Sequence, residues 1–288
     1  MTQKYNYELQ KGSKHIICPN CRKKTFKPYV EAGTNNIVDA ERYGRCERIN
    51  NCSYIQYPES NGINSDWIAP PEQAYEPPRP DFIPKDLVEA TFNKFRSNTF
   101  FMWLVELFGS DKALELQATY NIGTAKGNGT IFWQQDSEGN FRTGKVMYYG
   151  KDGRRDKKRN SWYLHKQVKS DFELHQVFFG EHLIKENPDK PVALCESEKS
   201  AVLMSVYEPS HIWLASGGAN MLNNYRLLRL PRLDLVSPDN GEFDLWERQT
   251  NSFIGRKMDT RVENAFREGK LEAGADILDL ILLQNEMA

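Results

Sequence analysis

The pattern of hydrophobic and polar positions divides the chain into four stretches. Short β-prone runs occupy residues 14–57, and seven prolines fall within residues 58–84, which excludes helices and central strands there. The hydrophobic period is helical from residue 85, and short apolar runs alternate with helical stretches from residue 190. We therefore predict a small β module at 1–57, a proline-rich linker at 58–84, a mixed α+β region at 85–189 and a parallel-sheet domain with a C-terminal helix at 190–288.

The mixed region combines predicted helices with a predicted β-hairpin. Helical periodicity and a Gly at the end of the second run indicate three consecutive helices. Alternating apolar residues on either side of a polar turn indicate two antiparallel strands. The predicted elements are helices beginning at residue 86, at 98–108 and at 110–120, and strands at 129–135 and 141–149 around a turn at 136–140.

Three short apolar runs in the last hundred residues predict a parallel sheet. They lie at 192–195, 211–216 and 233–236. Short apolar strands that alternate with helices are typical of a parallel sheet that is buried on both faces. Functional residues in such sheets lie at the carboxyl ends of the strands. Glu196, the pair Gly217 and Gly218, and Asp239 follow the three runs and are therefore predicted to share one edge.

Four of the five cysteines lie in the first 52 residues, in two short-spaced pairs. Cys18 and Cys21 form a CxxC pair, and Cys46 and Cys52 follow with five residues between them. Two such pairs on facing turns supply the tetrahedral thiolate ligands of a structural Zn²⁺. Two disulfides, or four unrelated buried thiols, are the alternatives. Cys195 lies within a predicted buried strand, so we expect an inert core thiol there.

The net charge of −1 conceals two basic stretches. Residues 1–57 hold ten Lys and Arg against five Asp and Glu, and residues 142–159 hold eight against two. Such patches predict a polyanionic partner, with solvated loops as the alternative. The residues predicted to bind nucleic acid are Arg142, Arg154, Arg155, Lys157 and Lys158. Aromatic residues of the N-terminal module could stack on unpaired bases or pack its own small core: Phe26, Tyr29, Tyr43, Tyr54 and Tyr57.

The strand-end residues resemble the Toprim domain of topoisomerases and bacterial primases. Glu196 matches the acid of that family's first motif, and Asp239 matches the first aspartate of its Asp-x-Asp motif. The second aspartate of that motif is Gly241 here, and Ser197 stands in place of the first motif's Gly. With a zinc ribbon and a proline-rich linker in front, the layout is similar to that of primase-like proteins of bacterial mobile elements.

This resemblance implies a nucleotidyltransferase that synthesises primers on single-stranded DNA for mobile-element replication. Glu196 and Asp239 would hold Mg²⁺ or Mn²⁺, and Lys145, with Arg154 or Lys157, would neutralise phosphate charge in the catalytic site. The implied partners are single-stranded DNA, nucleoside triphosphates, and replication or mobilisation proteins.

Gly241 favours an alternative, a catalytically degraded Toprim and zinc-ribbon protein that binds DNA as an accessory factor. A Toprim nuclease that uses the same acids is a further alternative. The primase hypothesis requires a third carboxylate near those of Glu196 and Asp239, and Glu242 or Asp244 could supply one.

The sequence contains no run that approaches the roughly 20 apolar residues of a membrane span. Its first residues are polar and lack the apolar segment of a secretory signal. We therefore expect a cytoplasmic protein with no membrane partner.

Overall fold

The computed structural model describes residues 7–48, 52, 54–58, 79–218 and 221–286. They form two compact units, divided between residues 76 and 77. Residues 59–78, most of the predicted linker, lie outside the described residues, so its extended character stays a prediction.

The first unit is a small antiparallel β module. Its strands are β1 (Tyr7–Leu9), β2 (Ile16–Ile17), β3 (Lys24–Glu31), β4 (Gly44–Cys46) and β5 (Ile55–Gln56). They pair in the order β1-β3-β4-β5, and β2 also pairs with β3. Alternate residues of β3 are buried, as expected of a strand with one face on a core. The hydrophobic cluster around the cysteines has only three buried members among the described residues, Phe26, Cys18 and Cys46, which is too small to stabilise the module alone.

The second unit begins with helices, whose bounds are α1 (Lys85–Glu89), a 3₁₀ turn (Phe95–Ser97), α2 (Thr99–Phe108) and α3 (Ser110–Thr119). Asn98 caps α2, because its Oδ1 accepts the N–H groups of Phe100 at 3.1 Å and Phe101 at 3.2 Å. Gly109 follows α2 with φ of +83°, a conformation that favours glycine. These bounds confirm the three predicted helices to within one residue at their starts.

An antiparallel sheet follows, with strands in the order β6 (Ile122–Ala125), β7 (Gly129–Gln135), β8 (Phe141–Met147) and β9 (Trp162–Tyr163). The predicted hairpin is confirmed, with Thr130 of β7 opposite Met147 of β8. Asp136 closes its turn, since its Oδ1 accepts the N–H groups of Glu138 at 3.0 Å and Asn140 at 2.8 Å.

A second sheet, parallel throughout, occupies the C-terminal part of this unit in the strand order β11-β10-β12-β13. Every residue of β10 and β11 is buried, which explains their continuous apolar runs. The elements are α4 (His165–Val168), α5 (His182–Glu186), β10 (Val192–Cys195), α6 (Glu198–Tyr207), β11 (Ile212–Ala215), α7 (Asn224–Leu227), β12 (Leu235–Val236), α8 (Phe243–Gln249), β13 (Lys257–Met258), α9 (Arg261–Arg267) and α10 (Ile277–Glu286).

One hydrophobic core joins α2, α3 and both sheets of the second unit. Phe132 of β7 packs edge-on against Phe100 of α2 and against Phe179, with ring centroids 5.5 and 5.4 Å apart. Phe179 in turn exchanges main-chain hydrogen bonds of 3.0 and 3.1 Å with Ala215 of β11. The mixed region and the parallel sheet therefore pack as one body. No helix in the described part of the chain is long and apolar enough to cross a membrane.

Candidate functional site

The four N-terminal cysteines converge on one point. Their sulfur atoms all lie within 4.8 Å of one another, and all are free thiols. Cys18 Sγ is 3.7 Å from Cys52 Sγ, and Cys21 Sγ is 3.9 Å from Cys46 Sγ. Zn–S bonds of about 2.3 Å in a tetrahedron place the sulfurs about 3.8 Å apart. The cluster therefore has the ligands and the spacing of a structural zinc site rather than of two disulfides.

Two polar side chains adjoin the sulfurs. Asn20 Nδ2 lies 3.4 Å from Cys52 Sγ, and Thr25 Oγ1 lies 3.3 Å from Cys46 Sγ. Donors of this kind stabilise thiolates and orient them, as outer-shell groups do around structural metals. The sulfurs and their neighbours together fit Zn²⁺.

The aromatic residues of this unit divide between its core and its surface. Phe26 and Tyr43 are buried, and Tyr29 and Tyr54 are half-buried. Tyr57 is 63% exposed and is the member of this group that is open to a ligand. Packing within the first unit therefore explains most of these aromatic residues.

The structure brings Glu196 and Asp239 together at the carboxyl edge of the parallel sheet. Glu196 follows β10 directly, and Asp239 follows β12, the neighbouring strand. Burial, and next the negative charge of Glu196, raise the pKa of Asp239 to about 9. The negative charge of Glu196 therefore disfavours ionisation of Asp239.

A third acid, Asp276, lies between the segments that carry these two. The main-chain N–H of Asn240 donates to the carbonyl of Ala275 at 2.9 Å, which places the Asp239 loop beside Asp276. Ser200 Oγ of α6 donates to Asp276 Oδ2 at 2.5 Å. Burial raises the pKa of Asp276, and the charge of Asp276 also helps to raise that of Asp239.

Sequence reasoning missed Asp276, because it ends no strand and is distant along the chain. Its only local signal is the start of α10, where Asp276 and Asp279 each accept the other's N–H at 3.0 Å. Of the two acids proposed from sequence, the charge of Glu242 also acts on Asp239, whereas Asp244 is an exposed residue of α8. Within the described residues, only the four cysteines place three or more ligand atoms within 4.8 Å of one another.

Lys145 of β8 is bound by groups of the parallel-sheet region. Its Nζ donates to Glu198 Oε2 at 2.9 Å and to the carbonyl of Gly217 at 2.7 Å. The Lys145 and Glu198 side chains are 11% and 3% exposed. This buried ion pair connects the antiparallel sheet to the start of α6. The ammonium group of Lys145, which the sequence predicts to neutralise phosphate, is therefore already paired with a carboxylate.

An exposed basic turn lies between β8 and β9. It carries Arg154, Arg155, Lys157 and Lys158, all exposed. Asp152 and Asp156 shape it, since their Oδ1 atoms accept the N–H groups of Arg154 at 3.1 Å and Lys158 at 3.0 Å. Gly153 lies so close to Trp103 of α2 that a Cβ there would come within 2.2 Å of the indole.

The basic turn adjoins the acidic edge of the sheet. Lys199 Nζ of α6 lies 3.4 Å from the carbonyl of Gly153. Burial raises the pKa of Tyr149 well above its usual range, and the charges of Glu198, Arg155 and Asp276 also act on that phenol. Charges of the basic turn and of the strand ends that carry the acids therefore both act on the side chain of Tyr149.

Arg142 is not part of this exposed basic surface. Its Nε pairs with Asp136 Oδ2 at 2.7 Å, and the two side chains are 7% and 0% exposed. Its guanidinium also lies 4.7 Å from the ring centroid of Phe82. Arg142 therefore stabilises the hairpin and is not open to a nucleic acid.

Two family models match the chain. Residues 5–66 match a zinc beta-ribbon finger, which together with the cysteine cluster supports structural zinc. Residues 98–239, just under half of the chain, match a domain of unknown function (DUF6371). No curated protein matches the chain.

Two solved structures similar to the chain are DNA primase fragments. The primase fragment of the bacteriophage T7 primase-helicase protein is 17% identical over 54% of this chain and 66% of that chain, with a TM-score of 0.36. A DNA primase domain from Pseudomonas aeruginosa is 13% identical over 63% of this chain and 65% of that chain, with a TM-score of 0.31. The chain thus spans just under two thirds of each, and TM-scores of this size do not define a shared fold.

Proposed function

We propose that this protein is a primase-like nucleotidyltransferase that acts on single-stranded DNA with the help of a divalent cation. The observation that carries the proposal is the placement of Asp276 between the segments that bear Glu196 and Asp239. The site would thereby regain the third carboxylate that Gly241 removes from the Toprim-like pattern.

The three acids would hold Mg²⁺ or Mn²⁺, and waters and substrate phosphates would complete the coordination. Such a cation neutralises the charge that develops on a phosphoryl group during its transfer. The three acids are not among the described groups whose ligand atoms all lie within 4.8 Å of one another, and this suits incomplete, substrate-assisted coordination. Nucleoside triphosphates are accordingly the expected small substrates.

Lys145 would act first as a positioning residue. Its bonds to Glu198 and to the carbonyl of Gly217 fix the two segments that follow β10 and β11. Direct contact with a substrate phosphate would require Lys145 to leave Glu198, which would leave a buried carboxylate without its cation.

The basic turn and the zinc unit would bind the strand. Four exposed cations beside the acidic edge can neutralise backbone phosphates, and Tyr57 offers a ring on which a base can stack. Replication or mobilisation proteins of a mobile element remain the proposed partners.

Primer synthesis on single-stranded DNA, with nucleoside triphosphates and either Mg²⁺ or Mn²⁺, tests this proposal. We expect Asp239→Asn and Asp276→Asn each to lower the rate at least about 100-fold, since each removes a charge that would hold the cation. Asp244→Asn is the matched control, because it makes the same change on the exposed surface of α8, and its rate should not change. Full activity of Asp276→Asn would remove this acid from the site.

A DNA-binding accessory protein is the second candidate, and Gly241 in place of the second aspartate of the Toprim-like pattern favours it. In that case the wild type would bind single-stranded DNA but would neither extend nor nick it with either metal. Nicking without synthesis, abolished by Asp239→Asn, would instead indicate a nuclease.

A further inference from the structure

A cavity of about 440 Å³ lies at the opposite edge of the parallel sheet from the three acids. Part of its wall comes from the segment before β10, with Ile184 and Lys185, and part from the segment before β12, with Arg229 and Arg232. These strands are parallel, so their amino ends share an edge and their carboxyl ends share the other. The volume is within the range of small-molecule sites, about 300 to 1,000 Å³.

The cavity wall carries positive charge that is not neutralised. Arg229 donates from Nε and Nη2 to Oε1 of Glu181, at 3.0 and 2.7 Å, and the side chain of Glu181 is 3% exposed. Glu138 approaches Arg229 at 3.8 Å from the solvent side. Lys185 and Arg232 have no carboxylate within 4.0 Å among the residues that the structure describes.

Main-chain carbonyls hold Arg232 in place without cancelling its charge. Its Nε donates to the carbonyl of Lys190 at 3.2 Å, and its Nη2 donates to that of Asn187 at 3.0 Å. Nη1 has no acceptor in the described part of the chain, so it is left for a ligand. A guanidinium fixed in this way loses little further entropy when it binds an anion, and the N–H groups of Nη1 can donate charge-assisted hydrogen bonds to phosphate oxygens.

We propose that this cavity binds the phosphate monoester of a nucleotide. Lys185 and Arg232 would contact the phosphate, and the apolar wall formed by Ile184 and Pro231 would pack against the base or the sugar. The same group is present on a free mononucleotide and on the 5′ end of a strand. The site is separate from the proposed cation site and does not depend on the primase-like activity.

Calorimetric titration of the 288-residue chain with AMP, without added divalent metal, tests the proposal. Adenosine serves as the ligand without phosphate. We expect AMP to bind at least about tenfold more tightly than adenosine, since the phosphate would make charge-assisted hydrogen bonds. A 5′-phosphorylated adenine dinucleotide, compared with the unphosphorylated one, distinguishes a strand end from a free nucleotide as the preferred source.

Lys185→Gln should weaken AMP binding about tenfold, and because Lys185 is exposed, the substitution leaves the packed core unchanged. Lys166→Gln is the matched control, because Lys166 is an exposed lysine of α4 that does not line the cavity, and its affinity should not change. Equal affinities for AMP and adenosine, or equal losses in Lys185→Gln and Lys166→Gln, would overturn the proposal. Loss of AMP binding on alanine replacement of the four cations of the basic turn, with no loss in Lys185→Gln, would assign the phosphate to that turn instead.

Discussion

At the residue scale, two arginines of the same basic stretch have different roles. Arg142 and Arg154 both belong to the basic stretch that begins after the hairpin turn, yet Arg142 is paired and buried whereas Arg154 is exposed. Sequence composition assigns both to a nucleic acid, because charge counts do not reveal burial. The carboxylate of Asp136, six residues earlier, distinguishes them.

Zinc content tests the cysteine site residue by residue. The purified protein should hold about one zinc per chain, since four thiolates make a closed structural site. Cys46→Ser should reduce this at least severalfold, because it removes a buried ligand. Elemental analysis measures both, and Cys195→Ser is the control that should keep its zinc. Retention of a full equivalent by Cys46→Ser would contradict the assignment.

Two buried histidines should make the second unit less stable in mild acid. Burial lowers the pKa of His182 and of His165. The unfolded chain therefore binds these protons more readily than the folded protein, so the free energy of unfolding should fall as pH drops below about 6.5. Urea titrations between pH 5 and pH 8 measure the slope.

Replacement of these histidines should flatten that slope in steps. His182→Gln keeps a donor for the carbonyl of Thr119, which lies 2.9 Å from Nε2, and it cannot gain a proton. His165→Gln should remove the remaining part. An unchanged slope in the double variant would show that other groups govern stability in this range.

At the element scale, the buried strands of the parallel sheet could be predicted from the sequence, whereas its short edge strand β13 could not. The buried runs of β10 and β11 are continuous and apolar, so they are visible in the sequence. β13 consists of Lys257 and Met258, and such a short polar-apolar pair has no period to detect. Asp276 was missed for a different reason, since it follows no strand and only tertiary contacts bring it to the strand ends.

The basic turn is an element whose contribution to binding can be measured alone. We expect replacement of Arg154, Arg155, Lys157 and Lys158 by Ala to weaken single-stranded DNA binding and to reduce the log–log salt dependence by about 2 to 3, because each lost phosphate contact removes about 0.7. Fluorescence anisotropy at several salt concentrations measures both quantities.

The control for this turn makes the same charge change elsewhere. Lys85, Lys257, Arg267 and Lys270 are exposed cations outside the basic turn, and their replacement by Ala should affect the salt dependence much less. If both quadruple variants change it equally, the protein binds through its general charge and not through the turn.

At the scale of the whole molecule, the two units have different sources of stability. Among the described residues, the hydrophobic cluster around the cysteines of the first unit has three buried members, and the second unit has a large core that includes Phe100, Trp213 and Trp246. Metal binding must therefore supply most of the folding free energy of the first unit, whereas burial of apolar surface supplies that of the second.

Removal of zinc should accordingly unfold one unit and spare the other. Hydrogen exchange, followed by mass spectrometry with and without a strong chelator, should show lost protection in β3 and β4 and retained protection in β10 and β11. Added zinc should restore the lost protection. Loss of protection in β10 on chelation would mean that the second unit depends on the first.

Cys195 lies beneath the acidic edge, and burial, followed by the charge of Asp276, raises the pKa of its thiol well above the usual range. A thiol of this kind reacts slowly with disulfide reagents, and metal-bound thiolates are also protected from them. The number of reactive thiols therefore reports whether the four N-terminal cysteines hold metal. A colorimetric thiol reagent should find almost no reactive sulfur in the loaded native protein, four after chelation and all five only after denaturation.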